Sequence, residues 1–188
     1  MNTRYGAVAI ALHWTIAVLI VGLIAVGVYM HELPLSHPDK FKLYQLHKSF
    51  GITVLLLSLA RLVWRLTHPA PPLPDDMADW EKGIARATHF IFYALIIVTP
   101  LVGWAMVSAS VFNIDTKLFG VIPWPHLPVL STLENKEPVE EALKGAHELL
   151  GFAITGLLAL HIAAALKHHF VNKDDVLTRM IPFLRPKG

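Results

Sequence analysis

Eleven histidines and no cysteine define the chemistry open to this chain. Without thiolates there is no disulfide, no cysteine zinc site, no iron–sulfur cluster and no covalently attached c-type haem. Imidazole remains, a ligand for transition-metal iron. His37, His68 and His126 each neighbour a proline and read as loop residues, and His31 reads as interfacial. His13, His47, His147 and His161 differ, because each falls in or at the edge of an apolar run. An ionisable side chain there is functional by default. His147 and His161 are fourteen residues apart. On a helix that is ~21 Å along the axis and about 40° short of four full turns, so both rings share one side at two levels. The residue four places after each of the four histidines is small: Ala17, Gly51, Gly151 and Ala165. Positions i and i+4 share a helix face, so each ring has beside it a surface flat enough for a planar macrocycle. Small residues also mark ordinary helix packing in membranes. His89 and His168 lack this feature, being followed by Tyr93 and Asn172.

Such rings need long helices to position them, and the composition supplies these. Of 188 residues, 54% are apolar or aromatic and 16% charged, with mean hydropathy +0.51. Ordinary soluble domains carry about 25% charged residues. Disorder is excluded, since it requires low hydrophobicity and high net charge. A formal charge of +2, with no basic run and no glycine-rich phosphate loop, gives no case for nucleic acid. Four segments reach or approach the ~20 residues of a bilayer span. They are read as spans at about 7–30, 46–66, 87–110 and 146–168, with a long outer loop at about 111–145. The second is the weakest: only twelve residues separate Lys48 from Arg61, and it spans only if its flanking bases reach the two interfaces. Asp115 to Ala146 divides into a proline-rich aromatic half and a half that reads as helical, with Pro138 and acids in its first turn.

With the N-terminus placed in the cytoplasm, ten Lys and Arg fall inside, including all six arginines, and six fall outside. That is the bias of the positive-inside rule. Both termini are then cytoplasmic. The first apolar run is longer than a signal-peptide core and has no clear small-residue cleavage site, so it reads as a span. The expected fold is all-α, a transmembrane four-helix bundle in one membrane domain.

This topology sorts the histidines by depth. His13 comes early in a helix that starts inside, and His161 late in one that ends inside. His47 opens a helix that starts outside, and His147 lies near the outer end of the fourth. The levels match as His13 with His161 and His47 with His147. Two imidazoles opposed across a bundle at one depth suit a six-coordinate haem. Arg61, fourteen residues after His47, lies at the inner level, where it either pairs with a haem propionate or snorkels to the interface. Lys40, Lys42 and Lys48 are candidates for the same role at the outer level.

The motifs ALHW on the first span, LHKSFG at the second, and AHELLGF followed by ALHIAAALKHHF on the fourth resemble the bacterial di-haem cytochrome b561 family of the inner membrane. The resemblance runs through RLVWR and HPAPP to the terminal DVLTRMIP. It implies two b-type haems, with His13 and His161 ligating one and His47 and His147 the other. One branch of the family oxidises superoxide at the outer face and passes electrons to ubiquinone. The PWPHLP stretch does not match that branch. His168, two turns beyond His161, reads either as an interfacial polar residue or as a contact to a quinone carbonyl, and His89 faces the same choice.

The expected function is transfer of electrons between an outer-face donor, a small anion such as superoxide or a protein, and the membrane quinone pool. The alternative within the same chemistry is a cytochrome b anchor subunit for a partner dehydrogenase. A histidine-lined metal-ion transporter would need its ligands clustered with carboxylates. Here the histidines split into two levels and no acid enters the apolar core of a span.

Overall fold

The computed structural model of the protein describes residues 4–75, 77–181 and 183. In hydrocarbon every backbone N–H and C=O needs an internal partner, so an apolar run of spanning length must be helical. Four long helices result: α1 (Ala7–Glu32), α2 (Lys40–Thr67), α3 (Asp79–Ser108) and α5 (Glu137–Lys167). Each is long and apolar enough to cross a membrane, and the chain is a multi-pass membrane protein. Between α3 and α5 lie a two-stranded antiparallel hairpin, β1 (Thr116–Leu118) with β2 (Ile122–Trp124), and one short helical turn, α4 (Pro128–Ser131).

The helices run further than their apolar cores. α2 begins at Lys40, six residues before the expected start, because the polar turns KFKLYQ continue the helix outside the hydrocarbon. This answers the weakness of the second span: its twelve-residue apolar core sits inside a 28-residue helix. α3 begins at Asp79, where Asp79 and Glu81 complement the N-terminal dipole. α5 starts at Glu137 with Pro138 in its first turn and Lys167 in its last. The second half of the long segment between α3 and the fourth span is therefore helical and continuous with that span. The hairpin in the first half has no counterpart in the sequence reading.

α1 packs on α2, α2 on α3 and α3 on α5. Among the described residues α1 and α5 do not pack closely, so the bundle stays open along that side. The chain ends meet at one end of the bundle. The Tyr5 amide donates to the Arg179 carbonyl, the Arg4 guanidinium to that of Ile181, and the Trp14 indole to that of Met180. The turn into this C-terminal strap is a π-helical turn at His168–Asn172, closed by Lys173 at φ 57°. Arg179 is buried, pairs with Asp175 at 2.8 Å and donates to the Pro72 carbonyl.

Truncating one partner of a buried pair strands the other charge, at a cost of about 3–5 kcal/mol. Arg179→Ala is therefore expected to lower the melting temperature of the detergent-solubilised protein and to speed proteolysis of its C-terminus. An unchanged melting curve would show that the strap is held by its backbone contacts alone.

Candidate haem-binding centres

At the bundle end that carries the hairpin, His47 of α2 and His147 of α5 face each other with ring centroids 6.2 Å apart. At the end that carries the termini, His13 of α1 and His161 of α5 are 6.3 Å apart. With a metal–imidazole bond of about 2.1 Å and a ring nitrogen about 1.1 Å from its centroid, two trans imidazoles on one metal lie about 6.4 Å apart. Both pairs thus have the separation of bis-imidazole coordination. The geometry joins the four histidines in the pairs that depth alone suggested.

The backbone around the hairpin-end pair is shaped to the rings. The His147 ring lies against Gly103 of α3, where a Cβ would stand 3.0 Å from its Cε1. Gly103 is four residues beyond Thr99, on the same helix face. The missing side chain lets the ring reach the Thr99 carbonyl, and Nδ1 donates to that oxygen at 3.1 Å. A carbonyl only accepts, so the proton is on Nδ1 and the Nε2 lone pair is available to a metal. Across the bundle, His47 rests against Gly27 of α1, where a Cβ would stand 3.4 Å from its Cε1. All four spans therefore contribute at this level, two with an imidazole and two with a glycine. Gly27 and Gly103 were not found by sequence reasoning, because a glycine in an apolar helix carries no periodic signal.

Gly51 and Gly151, four residues after His47 and His147, are partly buried, yet a Cβ at either would meet nothing within 4 Å. The open side between α1 and α5, the ring separations and these two clear faces together accommodate a flat macrocycle. The residues present fit haem b.

At the termini end a third imidazole joins the pair. His89 of α3 lies 6.0 Å from His161, with Phe92 at 5.3 Å. His89 Nδ1 donates to the Ala85 carbonyl at 2.7 Å. Tyr93 stands at its i+4 position, where the other four histidines have a small residue. Among the described residues no three His, Cys, Asp or Glu converge on one ion. Arg61 is also at this level. Its guanidinium lies 5.6 Å from the Tyr93 ring centre, and it lines a cavity with Tyr5, Arg65, His89 and Tyr93.

The remaining candidates have other partners. His168 Nδ1 is engaged by the Asp174 carboxylate and lies close to the Asn172 amide, so it ties down the C-terminal strap. Lys40 donates to the Leu33 carbonyl, which commits its ammonium to the α1–α2 turn.

The family model described as "Prokaryotic cytochrome b561" matches residues 4–183. The chain is 33% identical over 179 residues to "Cytochrome b561 homolog 2" of Escherichia coli (strain K12), covering 95% of this chain and 91% of that protein. It is 29% identical over 182 residues to "Probable superoxide oxidase CybB" of Yersinia pestis, covering 97% and 98%. It is 27% identical over 180 residues to "Cytochrome b561 homolog 1" of Escherichia coli (strain K12), covering 95% and 97%.

Proposed function

Given that this chain belongs to the prokaryotic cytochrome b561 family, and so is a membrane cytochrome b of electron transfer, we propose that it holds two haem b groups at two depths and carries electrons between a donor at the hairpin end and the membrane quinone pool. The observation that carries this reading is the pair of opposed imidazoles at each end of α5. His13 and His161 hold one haem, His47 and His147 the other. Bound haem b supplies reversible one-electron chemistry at iron.

The chain's own residues do the rest. Thr99 fixes the His147 tautomer, and Gly27 and Gly103 let two rings approach the backbone closely. The apolar spans exclude water, which tunes potential. Arg61 stands at the termini-end level, where a guanidinium suits a propionate. His168, oriented by Asp174, is placed to exchange a proton with a reduced quinone at that end. Both termini face the cytoplasm of a bacterial inner membrane, as the distribution of arginines supports.

Superoxide is the small-anion donor suggested by the superoxide oxidase similar to this chain. Stopped-flow mixing of the oxidised protein with superoxide, with and without ubiquinone, is expected to show haem reduction that ubiquinone reverses. No reduction by superoxide would leave the reading as an electron-transfer subunit served by a partner dehydrogenase.

Gly51→Leu offers a sharper test of where the macrocycle lies. A Cβ at Gly51 meets none of the protein's own atoms within 4 Å, so the fold is expected to survive. A macrocycle lying on that face would clash with the leucine. The expected result is loss of one of two haems in a pyridine haemochrome assay, with the helical circular dichroism unchanged. Full haem content in Gly51→Leu would place the macrocycle elsewhere.

A further inference from the structure

We propose that the β1–β2 hairpin is a membrane-seated element, its turn immersed at the boundary between lipid headgroups and acyl chains, and not a water-exposed platform for a partner protein.

The first argument is depth. The Phe119 amide donates to Ser49 Oγ at 2.9 Å, and the Phe119 ring meets the Phe50 ring edge-on at 5.2 Å. Ser49 directly follows Lys48, where the apolar core of α2 begins. On the other flank, the Trp104 indole donates to the Pro125 carbonyl and its ring meets that of Trp124 at 5.5 Å. Trp104 is one turn inside the end of α3. The loop therefore folds back down the side of the bundle, into the level where tryptophan pairs mark the membrane interface.

The second argument is the surface that the turn presents. Phe119, Val121 and Ile122 are 50%, 79% and 58% exposed. Lys117 is the one Lys, Arg, Asp or Glu between Thr116 and Leu127. Through Phe50 this apolar surface joins the exposed apolar side chains of α2. An apolar tip of this kind in water would be an aggregation liability; against acyl chains it is matched.

The third argument is backbone satisfaction. A polar group can leave water only if it is paired. The Gly120 amide donates to the Lys117 carbonyl, the Val121 amide to that of Leu118, and the Phe119 amide to Ser49. All three turn amides are thus satisfied within the protein. The arrangement holds Phe119 at φ 52°, next to Gly120 at φ 76°. A bulky residue in the left-handed region costs ~1–2 kcal/mol. Here that strain places the amide on Ser49 and the ring on Phe50.

The chain has no native cysteine, so a single nitroxide label can report depth. Val121→Cys and Ile122→Cys would be labelled and reconstituted in phosphatidylethanolamine–phosphatidylglycerol vesicles. Phe90→Cys on the exposed side of α3 serves as the lipid reference, and Asn135→Cys in the loop before α5 as the water reference. Collisional relaxation by oxygen and by a polar nickel chelate is then compared. The expected oxygen-to-nickel ratio at 121 and 122 exceeds that at 135 by about tenfold, because the polar chelate is excluded from hydrocarbon. Nickel accessibility at 121 and 122 equal to that at 135, with Phe90→Cys still protected, would overturn the proposal and favour a protein-docking tip.

Discussion

His13→Ala is expected to purify with one haem b per chain in place of the two proposed for the parent. In the structure His13 and His161 stand 6.3 Å apart on α1 and α5, the separation of two imidazoles on one metal. The alanine would remove one of the two imidazoles proposed to hold that haem and leaves the hairpin-end pair untouched, about four helical turns away along α5. The pyridine haemochrome yield should fall by about half, and redox titration should resolve one midpoint instead of two. His89→Ala is the necessary companion, because His89 is as close to His161 as His13 is. Its Nδ1 donates to the Ala85 carbonyl much as that of His147 does to Thr99. What sets it apart is the bulky Tyr93 at i+4, where the other four have a small residue, and on that ground two haems are expected to remain. Should His89→Ala lose a haem while His13→Ala keeps both, the termini-end pair would be His89 with His161.

Gly103→Val carries the second large effect, at a residue that touches no metal. A Cβ alone would stand 3.0 Å from His147 Cε1 and 3.3 Å from Nδ1. The two further methyl groups of valine leave the ring no place against α3. Either the ring leaves the Thr99 carbonyl, releasing its tautomer, or α3 separates from α5. Overpacking of this kind costs ~1–3 kcal/mol, and losing the group that orients a metal ligand typically weakens metal binding 10–100-fold. The hairpin-end haem is expected to be lost on purification while the His13–His161 haem stays, so Gly103→Val should give the spectrum of His147→Ala. Gly27→Ala, where the added Cβ stands at 3.4 Å, should keep both haems with a shifted midpoint. Two unperturbed haems in Gly103→Val would mean that the ring has another seat.

The spans, the paired depths of the histidines and the helical second half of the long loop were legible in the sequence, because hydropathy and helical spacing are local properties. What was not legible depends on contacts between distant segments. The start of α2 at Lys40 is hidden, since polar turns outside the lipid carry no apolar signal. The hairpin is hidden because its strands have three residues each. Its turn is Phe-Gly rather than Asn-Gly, and the left-handed Phe119 is held by Ser49, seventy residues away in sequence. His89 is set apart in sequence by Tyr93, and only the packing of α3 on α5 brings it to His161. His168 reads equally as an interfacial residue or a quinone contact, because its partner Asp174, which engages Nδ1, lies beyond the end of the helix.

Both imidazole pairs draw one member from α5, the last long helix in chain order. Domains and segments emerge from the ribosome N-terminus first. During synthesis, then, α1, α2 and α3 enter the bilayer with His13 and His47 still lacking their opposite rings. Neither centre can be completed until the final span is inserted. On the proposed ligation, completion of both centres would wait for the close of translation. A chain stopped after α3 holds two of the four histidines, one per pair, and can complete neither pair.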